Sequence, residues 1–128
     1  MPNGRTSPRP DRPAPAGRNW AERLARCHLE SQGLSLLAAN HTEKGGELDL
    51  VLQEGSMVVF VEVRQRRSAE HGSAAESLDA RKLQRLRRTA RLFLLRTYGT
   101  EEVDCRFDAV LVSGQPQAFS VQHLKGIA

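Results

Sequence analysis

The chain has 128 residues, enough for one domain and one core. Apolar residues make up 39% of it, which excludes a disordered chain, and no run approaches the ~20 apolar residues a bilayer span needs. The net charge of +4 is unevenly placed: Arg5, Arg9, Arg12 and Arg18 against Asp11 leave +3 in residues 1–18 and +1 in the rest.

Residues 1–17 carry five of the six prolines, each restricting the residue before it to extended conformations, and no amphipathic period runs through them. They read as a disordered Pro/Arg-rich tail ahead of a single domain over 18–128. No apolar h-region marks a secretory signal, so the reading is cytoplasmic. Cys27 and Cys105 stand far apart with no CxxC spacing, which fits reduced thiols and not a zinc site.

From Arg18 to Gln32, Trp20, Ala21, Leu24, Ala25, His28 and Leu29 recur at helical spacing, and Gly33 supplies a stop. Glu22 falls at the rim of that apolar face, beside Ala25 and Leu29. Leu34–Ala39 reads as a strand and Asn40–Gly46 as a polar loop. A hairpin follows. Leu48, Leu50 and Leu52, then Met57, Val59, Val61 and Val63, alternate with other residues around a turn at Gln53–Ser56. Pairing Leu52 with Met57 puts the aliphatic set on one face and Asp49, Phe60, Glu62 and Arg64 on the other.

Ser68–Ser77 is a polar loop. Asp79 is placed to cap a long helix reaching Tyr98, with Leu83, Leu86, Ala90, Phe93 and Leu94 as its inner stripe and Gly99 at its end. Arg81, Lys82, Arg85, Arg87, Arg88, Arg91 and Arg96 fall on it, with no acidic residue between 81 and 96. Cys105–Val112 has strand composition, and a weaker strand near Ala118–Val121 follows a turn at Ser113–Pro116. This order implies an α/β fold with a central mixed β-sheet flanked by helices.

Asp49 and Glu62 are expected as diagonal neighbours across the hairpin, with Cβ atoms ~7–8 Å apart or somewhat less. Two carboxylates so placed suit one hard divalent cation, Mg²⁺ or Mn²⁺, with the Val63 carbonyl as a further oxygen. Arg64, on the same face, would put positive charge where a phosphate lies. That is the equipment for metal-assisted phosphodiester hydrolysis. Ordinary cross-strand ion pairing on an exposed face is the plainer alternative. The basic runs, with Arg66, Arg67, Arg81, Arg85 and Arg88 foremost, suit a nucleic-acid backbone, where each neutralised phosphate releases counterions. With aromatics at only 5%, base stacking is not the expected mode of contact.

Gly46-Glu47-Leu48-Asp49-Leu50-Val51 followed by Val59-Phe60-Val61-Glu62-Val63-Arg64 resembles the Asp and Glu-x-Lys half-motifs of the restriction-endonuclease-like superfamily. With Glu22 and Ala25, Asn40, Gly72, Lys82, Leu86, Ala90 and Arg106-Phe107-Asp108, the pattern resembles the bacterial YraN family, whose members are predicted nucleases similar to archaeal Holliday-junction resolvases. The resemblance implies a restriction-endonuclease-like fold, metal-facing carboxylates at Glu22, Asp49 and Glu62, and Lys82 as an auxiliary cation. It also implies a DNA substrate, plausibly branched, and by analogy a homodimer. Arg64 departs from the family's lysine. Arginine keeps its proton, so a catalytically weak or inactive nucleic-acid-binding protein of the same fold is the alternative. Arg106 and Asp108 share a strand face and are expected to pair.

Overall fold

The computed structural model describes residues 19–66 and 80–128. The proline-rich tail, the 68–77 loop, the Asp79 cap, Gly72 and Arg67 lie outside these residues. Helix α1 spans Trp20–Ser31 and strands β1, β2 and β3 span Ser35–Glu43, Gly46–Glu54 and Met57–Arg66. Helix α2 then spans Ala80–Tyr98, followed by β4 at Cys105–Gln115 and β5 at Ala118–Leu124. The strands form one mixed sheet in the order β1-β2-β3-β4-β5. All neighbours are antiparallel except β3 and β4, which run parallel and are joined through α2. A parallel pair needs such a crossover connection.

The α1 stop is a Schellman arrangement: Gly33 N–H donates to Glu30 O and Leu34 N–H to Leu29 O, with Gly33 at φ 98°. This turn aims the chain into β1. Trp20, Ala21, Ala25 and Leu29 pack on Leu50, Leu52, Val59 and Val61, the aliphatic face of the hairpin. A side chain as fully buried as Leu29 contributes about 1.5–3 kcal/mol.

The opposite face is not open to solvent. Leu86, Ala90, Phe93 and Leu94 of α2 cover Val51, Val58 and Phe60 there. Both faces of β2 and β3 are therefore buried, which explains why their intervening positions carry Val and Phe as well as Asp49 and Glu62. A parallel β3–β4 pair covered on both sides shows the same apolar run. Among the described residues no helix is long and apolar enough to cross a membrane.

Three local expectations are corrected. The hairpin turn holds two residues, not four: Glu54 pairs with Met57 across Gly55-Ser56, and Gly55 at φ 61° supplies the positive φ that a tight hairpin turn needs at its first position. Asn40–Glu43 is strand, not loop, because β1 continues pairing down to Glu43↔Gly46. The β4–β5 turn likewise moves two residues on, to Pro116-Gln117, with Gln115 paired to Ala118.

Strict alternation also fails at Leu48, which packs under α2 although Leu50 and Leu52 pack under α1. The pairs Ala38↔Val51 and His41↔Leu48 both face α2 while standing three residues apart. Asn40, at φ 51°, sits between them. Asparagine tolerates this left-handed conformation better than most residues, and the rotation it introduces flips the facing of β1 and β2 at Asp49.

Candidate active site

The two-residue turn changes the geometry of the carboxylates. The β2–β3 ladder ends at Leu50↔Val61, and Asp49 and Glu62, the next residue on each strand, bring their carboxyl groups into hydrogen-bond contact. Val63 N–H donates to Asp49 Oδ2 at 2.9 Å, so the backbone of β3 fixes one carboxylate oxygen.

Both acids lie on the floor of a cavity of about 330 Å³ between the sheet and α2, with Gly45, Gly46 and Glu47 on one side and Lys82, Arg85 and Thr89 on the other. Burial pushes Asp49 up to about 7, helped by the facing Glu62 and by Glu22 and Glu47, against the Val63 N–H bond. Burial also raises Glu62, opposed by Arg64 and by the hydrogen bond with Asp49. Two facing carboxylates in a part-dry cleft resist carrying two negative charges.

Two cations answer that charge. Lys82 Nζ stands 3.2 Å from Glu62 Oε2, and Arg64 Nε stands 3.6 Å from the same oxygen. Glu62 is only 12% exposed, so these pairs are better shielded than a surface ion pair. Arg64 leaves β3 on the Glu62 side, whereas Lys82 arrives from the first turn of α2.

Residues 21–112 match the model of the uncharacterised protein family UPF0102, a span that includes each of these site residues. The chain belongs to the UPF0102 family. A UPF0102 protein of Klebsiella pneumoniae subsp. pneumoniae is 52% identical over 99 residues, 77% of each chain. The UPF0102 protein YraN of Escherichia coli (strain SMS-3-5) is 48% identical over 115 residues, covering 89% of this chain and 87% of the relative. YraN of Shigella sonnei matches to the same extent. The resemblance to the YraN family read from the residue pattern is thereby borne out.

Within this UPF0102 chain the sequence-predicted residues separate into three groups. Asp49, Glu62, Arg64 and Lys82 converge, and Arg85 lines the same cavity. Glu22 belongs to α1 on the other side of the sheet; it is close enough to raise Asp49 electrostatically but does not line the cavity. Among the described residues no three His, Cys, Asp or Glu side chains gather tightly enough to hold a metal by themselves. Arg66 ends β3, and Arg81 and Arg88 are exposed along α2.

Two features of the site were not read from the sequence. Gly46 lies so close to Thr89 that an added Cβ would overlap Thr89 Oγ1 and stand 3.3 Å from its Cβ, so the missing side chain lets β2 approach α2. The Gly45-Gly46 pair was the available signal. The second is the trio His41, Glu43 and Arg96 at the far end of α2. His41 Nε2 lies 2.6 Å and Arg96 Nε 2.7 Å from the Glu43 carboxylate.

Arg106 and Asp108 do pair, as expected. Arg106 Nε lies 3.1 Å from both oxygens of the fully buried Asp108, which also accepts from His123 Nε2 at 2.7 Å and from Gly126 N–H at 3.0 Å. This hub sits under α1, on the face of the sheet away from Asp49 and Glu62.

Proposed function

We propose that this chain is a Mg²⁺- or Mn²⁺-dependent endonuclease of restriction-endonuclease-like fold that cuts DNA in the cytoplasm, with branched or otherwise structured DNA as the substrate class. The observation that carries the reading is the contact between the Asp49 and Glu62 carboxyl groups in a cavity whose other wall is the basic helix α2. A purely structural ion-pair network would not require two carboxylates to face each other at the cost of raised proton affinities.

The donor set fits a small hard cation that takes two protein oxygens and completes its shell with water and phosphate. It does not fit a fully protein-ligated centre, given the absence of a third converging ligand among the described residues. Asp49 and Glu62 would hold the ion, which when bound lowers the proton affinity of water and offsets charge on a phosphate. The chain's own residues supply the rest. Val63 N–H orients Asp49. Arg64, always protonated, balances negative charge gathering on the phosphate but takes no proton. Lys82, an amine beside Glu62, can both balance charge and exchange a proton. Arg85, Arg88 and Arg81 continue the positive wall for the flanking backbone.

Arg64 supports a second reading, in which the same cleft binds DNA without turning it over. Cleavage of end-labelled linear, flap and four-way-junction DNA with Mg²⁺ or Mn²⁺ distinguishes the two. Wild type is expected to cut and Glu62→Ala to lose at least ~10²-fold, the usual worth of one group that acts in the transition state. An inert wild type that gains cleavage in Arg64→Lys would establish the binding protein instead. A two-fold symmetric junction presents two equivalent cuts, so a homodimer would make paired nicks on it.

A further inference from the structure

We infer that His41, Glu43, Lys44 and Arg96 form a second phosphate-binding subsite, which grips the substrate backbone at a distance from Asp49 and Glu62; this rests on the nucleic-acid reading above. The subsite is a separate concavity, lined by His41, Thr42, Glu43, Lys44 and Arg96, beyond the β1–β2 turn from the carboxylate cavity.

Its chemistry is that of an oriented arginine. Glu43 is buried, with its side chain 4% exposed, and its carboxylate receives Arg96 through Nε alone at 2.7 Å. The rest of Arg96 is turned outward: the side chain is 69% exposed. A guanidinium held along its Nε edge by a buried acid presents its terminal amines in a fixed plane, the arrangement that matches a phosphate with two parallel N–H donors. His41 holds Glu43 from the other side at 2.6 Å and is itself fixed edge-on against the ring of Phe93, with centroids 5.0 Å apart. The hydrogen bond from His41, together with Arg96, keeps the Glu43 carboxyl below its ordinary range. The acid therefore stays ionised and keeps orienting the arginine. Lys44 adds an exposed cation beside it, so the cluster stays net positive despite Glu43.

Position argues for a continuous track. Lys82 and Arg96 lie on one helix, fourteen residues and so about 21 Å apart along its axis. That spans about six phosphates of one duplex strand at 3.4 Å each. Arg81, Arg85 and Arg88 follow i, i+4 and i+7 spacing on the same flank of α2, Arg81 beside Lys82 and the other two between Lys82 and Arg96. The β1–β2 turn beside the track is Lys44-Gly45, which puts the Lys44 cation between the two cavities. Arg87 and Arg91 occupy the other flank, and Arg91 faces Glu101 at 3.3 Å.

The test is equilibrium binding of a fluorescent sixteen-base-pair duplex in EDTA, followed from low to moderate salt, with no cleavage involved. Arg96→Gln keeps an amide donor for Glu43 and is expected to fold with a lowered Tm, so binding is measured well below that Tm. It should weaken binding several-fold and lower the slope of log K against log salt by about 1. Arg96→Lys keeps the charge and should recover most of the slope but not the affinity. Arg87→Gln should leave both near wild type. If Arg96→Gln binds like wild type, or if Arg87→Gln loses as much, the subsite is overturned while the nuclease reading stands. If wild-type protein shows no salt-dependent DNA binding, that reading falls and takes the subsite with it.

Discussion

Lys82 reaches from α2 across the cleft to set its amine 3.2 Å from the Glu62 carboxylate of β3, beside Arg64. This contact places a group that can release a proton next to one that cannot. Under the proposed activity, Lys82→Gln is expected to lower kcat by about 10²-fold or more. Lys82→Arg distinguishes charge from proton exchange: it should keep DNA affinity yet lose rate and flatten the pH profile. Single-turnover cleavage from pH 6 to 9 reads this directly, and full activity in Lys82→Arg would limit Lys82 to charge balance.

Arg64→Lys is the complementary change. It shortens the planar head but returns an amine two residues after Glu62, on the same face of β3. The expected outcome is a rise in cleavage rate with little change in stability, since Arg64 is part-exposed and its nearest contact to Glu62 is long at 3.6 Å. In the double variant Lys82→Gln, Arg64→Lys, partial recovery of rate would show that either amine serves. The measurement is a double-mutant cycle on kcat/KM, with coupling read as departure from additivity.

The hairpin is largely legible in the sequence. Alternation alone put Leu50, Leu52, Val59 and Val61 on one face, and they are the residues that meet α1. Even-numbered slips of register preserve the facing, so the two-residue turn at Gly55-Ser56 shifted the pairing by two without moving Asp49 to the other side. Gln53 and Glu54 had read as loop because they are polar; Glu54 stays in the strand and pairs with Arg106, 52 residues away. Glu43 was hidden for the same reason. A glutamate is rarely buried, and what makes its burial tolerable is Arg96, 53 residues further on, which no local pattern reports. The break at Leu48 depends on the backbone of Asn40 in the neighbouring strand, again a tertiary cause.

The facing carboxylates make stability depend on pH. Asp49 titrates at about 7 when folded against 3.8 ordinarily, so the folded state holds the extra proton. That contribution is complete below about pH 4 and is lost as pH rises to 7. Asp49→Asn, which keeps an oxygen for Val63 N–H, should therefore raise Tm at pH 8 and leave it nearly unchanged at pH 4. For a domain of this size each kcal/mol recovered moves Tm by about 4 °C. Millimolar Mg²⁺ should stabilise wild type at pH 8, where the acids are ionised, and have less effect on Asp49→Asn. Thermal melts at the two pH values, with and without Mg²⁺, check both expectations.

Asp108 carries a structural prediction that is independent of activity. Its buried carboxylate holds Arg106, His123 and the Gly126 N–H together, tying β4 to β5 and the chain end. Asp108→Ala strands Arg106 and His123 without their shared partner and should cost about 3–5 kcal/mol, as breaking a buried pair does. Urea unfolding measures it. Because the hub lies across the sheet from Glu62, DNA cleavage per folded molecule should change little.

Gly46 offers the sharpest test of how β2 meets α2. Alanine there would overlap Thr89 Oγ1, and it would still find Thr89 Cβ at 3.3 Å. Overpacking of this kind costs about 1–3 kcal/mol. Thr89 Oγ1 donates to Arg85 O at 2.9 Å, so the hydroxyl is held in place and cannot swing aside without losing that bond. Thr89→Ser keeps the offending oxygen and should give Gly46→Ala no relief, whereas Thr89→Ala removes it and should recover a substantial part of the loss. The remaining 3.3 Å approach needs a shift of only a few tenths of an ångström, and a helix anchored by Leu86, Ala90 and Phe93 resists but does not forbid it. A positive coupling energy between the Gly46→Ala and Thr89→Ala variants in urea unfolding is the expected result. If the two losses simply add, β2 does not press on α2 at Gly46, and the width of the carboxylate cavity is set elsewhere.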